Sequence, residues 1–183
     1  MRTADFVRAM LATAAAAALV AGCTSSTDGV ATGTSAPTTT GPIEVFNPCT
    51  ELPDQVVTEV GLSPASKDVV TDAPEGESSW RVCAWRTPDN LIRVSILSTS
   101  HTLDEARTNE NLVQTVETTV GSRPALRSYD KAETDGRSCY TSFAAEQGMF
   151  EIKATWFEED GWTRDICEIS GEFATALEPH LPK

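Results

Sequence analysis

Four cysteines, Cys49, Cys83, Cys139 and Cys167, follow a fifth, Cys23, that closes an N-terminal export segment. This arrangement constrains the fold more than any other feature. Outside the cytoplasm, an even set of thiols in a small domain reads as a disulfide framework. Four cysteines leave three pairings open. Cys49–Cys83 with Cys139–Cys167 is favoured, because each half of the domain then carries one bridge between a helix start and a strand. Each bridge would contribute a few kcal/mol, roughly, by restricting the unfolded chain. Zinc sites usually draw on close Cys-x-x-Cys pairs. None occurs here, so no metal site is assigned.

Residues 1–22 divide like a signal peptide. Arg2 and Arg8 supply the positive start, and Ala9 to Ala21 is apolar and mostly alanine. That run is shorter than the roughly 20 residues a membrane-spanning helix needs, so a removable export segment is expected. It ends in Val20-Ala21-Gly22-Cys23, which resembles the bacterial lipobox: an apolar residue, two small ones, then a cysteine whose thiol is acylated. Each buried acyl methylene contributes about 0.8 kcal/mol to membrane residence. A diacylglyceryl group with an N-acyl chain on Cys23 would hold the protein at the outer face of the cytoplasmic membrane, in the cell envelope. The lipid anchor is the only membrane contact expected. Residues 23–42, rich in Thr, Ser, Gly, Ala and Pro, have too little apolar surface to fold, and read as a disordered tether. At about 5–6 Å × √n, its reach is on the order of 25 Å.

Residues 43–183 suit one domain, long enough to bury a core. The formal charge is −13, and −14 once residues 1–22, with Arg2, Arg8 and Asp5, are removed. So acidic a surface repels nucleic acid and anionic head groups. No nucleic-acid partner is expected, and the domain reads as a monomer.

Hydropathy patterning gives a coarse element order. Pro53 to Val60 is a short helix, with Pro53 at its first position and Gly61 at its left-handed stop. Residues 63–79 read as a loop. Trp80 to Arg86 alternates, with Val82 and Ala84 opposite Arg81, Cys83 and Trp85. Leu91 to Leu97 then places Ile92, Val94 and Ile96 on one face, completing a hairpin. Thr102 and Glu105 form a capping box, opening a helix expected to run to Gly121. A late run of β-branched residues sits inside it. Three strands follow: Ala125 to Tyr129, Ser138 to Ala145 and Met149 to Phe157. In the last, Phe150, Ile152, Ala154 and Trp156 share a face. Ile166, Ile169, Phe173 and Leu177 mark a final helix from about Arg164 to Glu178. The order α-β-β-α-β-β-β-α predicts an α+β fold, an antiparallel sheet with helices packed on one face.

Asn47-Pro48-Cys49 before a short helix ending in Gly61-Leu62, then Cys83-Ala84-Trp85 opening a hairpin, resembles an uncharacterised actinobacterial lipoprotein family of the mycobacterial type, domain of unknown function 3558. Leu103-Asp104-Glu105-Ala106, Cys139, Cys167 and Leu181-Pro182 extend the likeness over most of residues 43–183. Leu52 departs from it, standing where the family more often has a hydroxyl residue able to cap the helix. The resemblance implies an envelope location and a small α+β domain. It implies no activity.

The chain offers little to support catalysis. Its two histidines, His101 and His180, read as exposed loop residues. Gly-x-Ser-x-Gly, His-Glu-x-x-His and phosphate-cradling glycine loops are all missing from the sequence. Glu158-Glu159-Asp160 reads as a solvated turn, and so do Asp130, Glu133 and Asp135. Trp85 and Trp156 belong to the expected core. Trp80 and Trp162 lie nearer element ends, where an aromatic side chain contacts a partner or ligand most readily. The expectation is a non-enzymatic binding module without a cofactor, its partner an unidentified protein or small molecule. The alternative is a carrier of a lipid or other apolar ligand, which requires an apolar cavity of several hundred Å³, roughly.

Overall fold

A computed structural model describes residues 44–72, 80–133, 135–157 and 163–183. All fall within one compact unit, Thr40–Lys183. The signal peptide, Cys23 and the tether lie outside the described residues, as do Glu158-Glu159-Asp160 and Trp162.

Asn47 caps the first helix. Its side chain accepts a hydrogen bond from the Cys49 N–H at 2.9 Å, and Pro48 follows at the first helical position, so a one-turn helix forms, α1 (Pro48–Glu51). Leu52 leaves the helical region, and α2 (Asp54–Glu59) starts after Pro53. Gly61 adopts φ +85°, letting the Leu62 N–H return to the Val57 carbonyl at 2.9 Å.

Seven strands form one antiparallel sheet: β1 (Ser63–Thr71), β2 (Trp80–Arg86), β3 (Ile92–Thr99), β4 (Leu112–Val120), β5 (Arg123–Asp130), β6 (Ser138–Ala145) and β7 (Gly148–Trp156). Their spatial order is β1-β2-β3-β7-β6-β5-β4. Two helices complete the α+β fold, α3 (Leu103–Arg107) and α4 (Ile166–Leu177).

The alternation read from β2, β3, β6 and β7 is present. Cys83, Trp85, Val94, Ile96, Phe143, Phe150 and Ile152 pack with Leu52, Val57, Ala174 and Leu177 in one buried cluster. Cys139, Ala154 and Trp156 continue it against Ile166 and Ile169. The Ser170 hydroxyl ties α4 to β7 by donating to the Ile152 carbonyl at 2.7 Å. Thus α1, α2 and α4 share one face. The short α3 lies on the other, its Leu103 and Ala106 packed on Leu126 and Met149 at one end of the sheet.

Elements differ from the sequence reading in several places, and α1 is absent from that reading. The capping box at Thr102 and Glu105 is formed, but its helix ends at Arg107 instead of reaching Gly121. Leu112 to Val120 is strand β4, whose β-branched residues fit a pleated edge better than a helix. Residues 63–79, read as a loop, contain β1, a strand exposed along most of its length. The strand read at Ala125 to Tyr129 runs from Arg123 to Asp130.

Candidate ligand groove

Side chains that point away from α4 build the candidate site. Opposite the core residues of β2, β3, β6 and β7 stand Val82, then Ser95 and Leu97, then Tyr140, then Glu151 and Lys153. Because α3 has only five residues, it covers just one end of this face. Between the sheet, α3 and the Thr108–Leu112 segment lies a groove of about 1040 Å³. Trp80 and His101 close one end, their ring centroids 5.7 Å apart.

Backbone geometry at Gly148 seats that end. Its φ is +143°, and a Cβ there would stand 2.5 Å from the Thr99 carbonyl oxygen and 2.7 Å from that of His101. Only glycine lets the β6–β7 turn approach the segment that carries His101 this closely.

Polar groups of the floor are held individually. Glu151 is only 6% exposed, and the Ser142 hydroxyl donates to it at 2.9 Å. Burial pushes the Glu151 carboxyl above the usual carboxylate range, against the Ser142 hydrogen bond and the nearby His101 and Lys153 side chains. Burial pulls the Lys153 ammonium down, but its hydrogen bond to Glu133 and the adjoining Tyr140 leave it above the ordinary lysine range. The Lys153 ammonium stands 5.0 Å from the Tyr140 ring centroid. Burial also raises the Tyr140 phenol, with Lys153 opposing.

The arrangement offers one apolar end, formed by Trp80, Leu97, Leu112 and Met149, and one polar stretch of floor. No three of His, Cys, Asp and Glu gather as a metal-holding group among the described residues. No described helix is long and apolar enough to cross a membrane.

Some residues singled out from sequence meet at this groove, and others do not. Trp80, His101 and Asp130 line it. Glu133 reaches it through Lys153. Asp135 instead accepts from the Arg137 N–H at 3.1 Å, and His180 is exposed near the C-terminus. Cys49 is joined to Cys83 and Cys139 to Cys167, with Cα separations of 5.2 and 5.0 Å. Both bridges pin a helix start to the opposite, core face. Glu151, Lys153 and Tyr140 escaped the sequence reading. Their signal was available: two opposite charges two residues apart in an otherwise apolar strand mark a face that needs polar company.

The molecule is thus a small disulfide-bridged α+β domain with an antiparallel seven-stranded sheet. Disulfides in a domain of this size point to an extracytoplasmic compartment. A family model, Protein of unknown function (DUF3558), matches residues 18–180, and the chain belongs to that family. No curated protein and no solved structure matches it.

Proposed function

We propose that this chain is a cell-envelope lipoprotein of the actinobacterial type, acylated on Cys23 and tethered through residues 23–42, whose domain binds a ligand in the groove beneath α3. The role is recognition without catalysis. The observation that carries it is the groove itself: about 1040 Å³ of open space over a sheet whose other face is solidly packed. Its volume slightly exceeds the roughly 300–1,000 Å³ of small-molecule sites. The lipobox-like Val20-Ala21-Gly22-Cys23 supports the anchor, and the formal charge of −13 supports a partner other than nucleic acid.

Carriage of a lipid is the second reading, favoured by Trp80, Leu97 and Met149 along one end. Glu151 in the floor argues against a purely hydrocarbon cargo, because its open oxygen would be covered without a polar partner in return. Native mass spectrometry of the protein purified from its own host tests the proposal. It predicts a mature chain beginning at an acylated Cys23 and carrying a non-covalent adduct. A chain without acyl mass contradicts the anchor, and a chain without any adduct contradicts ligand binding.

A further inference from the structure

Charges around the groove are not balanced in the same way. Its two permanent cations are each engaged by an acid. Arg93 contacts Asp68 at 2.6 Å, and Lys153 is bonded to Glu133. His101 faces Glu105 at 3.3 Å. Two other lining acids, Asp130 and Glu151, form no ion pair among the described residues. Asp130 accepts only the local Ala132 N–H at 2.8 Å. Glu151 receives one hydrogen bond, from Ser142 to its Oε1, and its Oε2 has no hydrogen-bond partner among the described residues. Oε2 is not sealed off from the groove, so it stands open to a hydrogen-bond donor there.

Resting on the groove reading above, we infer that the groove selects a ligand joining an ammonium group to an apolar or aromatic body, with the ammonium on Glu151 and the body against Trp80, Leu97 and Met149. An ammonium supplies both what Glu151 lacks, a charge and N–H donors for Oε2. The Tyr140 ring already faces the Lys153 ammonium at 5.0 Å, so the ligand's ammonium rests on Glu151. An anionic ligand would meet Glu151 and Asp130 without release of either groove cation from its acid. The acidic balance of the whole chain acts in the same direction, raising the local concentration of cations.

Three probes of matched shape separate the possibilities: 4-phenylbutylammonium, 4-phenylbutyrate and 4-phenylbutan-1-ol. Each is titrated into the full chain and followed by amide proton–nitrogen shifts. The ammonium is expected to bind at least tenfold more tightly than the carboxylate and to shift residues of β3 and β7. Glu151→Gln is expected to remove that preference while the alcohol keeps its affinity. Ser95→Trp, which fills the floor, is expected to abolish binding of all three. If the carboxylate or the alcohol binds as tightly as the ammonium, the inferred ligand class is wrong and the groove reading stands. If no probe moves groove residues, both are wrong. The three-probe comparison on the unaltered chain decides the ligand class even if a variant fails to fold.

Discussion

Ser142 and Glu151 face each other across the β6–β7 pair, the hydroxyl donating to the carboxylate at 2.9 Å on the floor of the groove. A strand interior is an expensive place for a carboxyl group, and one hydrogen bond compensates only part of the lost hydration. The pair therefore couples the site to the stability of the domain.

Burial raises the folded-state affinity of Glu151 for its proton. The folded form then holds that proton at pH values where the unfolded chain, titrating near about 4.3, has released it. Stability consequently falls as pH rises from the ordinary glutamate range through the raised value, and is level above it. His101 and Lys153 face the same carboxylate and moderate the effect. Glu151→Gln keeps an acceptor for Ser142 and removes the ionisation. Thermal melts from pH 4 to 8 are expected to show the variant gaining on the parent as pH rises. A stability difference, variant minus parent, that stays constant or falls as pH rises would falsify this assignment.

Arg123 tests the other end of the sheet. Its guanidinium, buried against the C-terminal segment, contacts Glu178 at 2.9 Å and donates to the carbonyls of Leu181 and Pro182 at 3.0 and 2.6 Å. Without Arg123, Glu178 keeps the Lys183 ammonium at 2.7 Å, so the cost is that of the lost charge-assisted hydrogen bonds, about 1.5–3 kcal/mol. Arg123→Ala is expected to lose stability on that scale in urea unfolding. A loss below about 1 kcal/mol, the range of exposed ion pairs, would show that the clasp is not formed.

Gly148→Ala addresses how the groove end is seated. The added methyl group meets the Thr99 carbonyl at 2.5 Å, in a backbone conformation that side chains disfavour. The expected cost is about 1–3 kcal/mol, with amide shifts concentrated from Thr99 to Thr102. Neutral melting behaviour with an unchanged spectrum would remove this contact from the account.

Each disulfide spans a comparable loop, 34 residues for Cys49–Cys83 and 28 for Cys139–Cys167. Loop-closure entropy predicts a loss of about 3–4 kcal/mol for either double alanine replacement. Equilibrium unfolding of the two variants is expected to give similar losses. A much smaller loss for one pair would mean that its bridge does not restrict the unfolded chain.

The interior strands were legible in the sequence because each is flanked by neighbours and buried on one face, which enforces alternation. Trp80 to Arg86 and Met149 to Trp156 show it plainly. Both misread strands are sheet edges. In β1 the residues from Lys67 to Thr71 are exposed, so no apolar rhythm is required there. In β4 the spacing of Val113, Val116 and Val120 imitates a helical stripe, and the capping box ahead of it strengthens the imitation. This second misreading hid the site. A helix reaching Gly121 would cover much of the face that the five-residue α3 leaves open, so the groove emerges only from the tertiary pairing of β4 with β5. The core cysteines, by contrast, were readable from their places at helix starts and in alternating strands.

The most direct test of ligand recognition on this face is the native mass spectrum of Ser95→Trp, purified from the host beside the unaltered chain. The account predicts an adduct on the unaltered protein and none on the variant, with the same acyl mass on both. An adduct retained equally by the two would place the ligand elsewhere and contradict the role assigned to the groove.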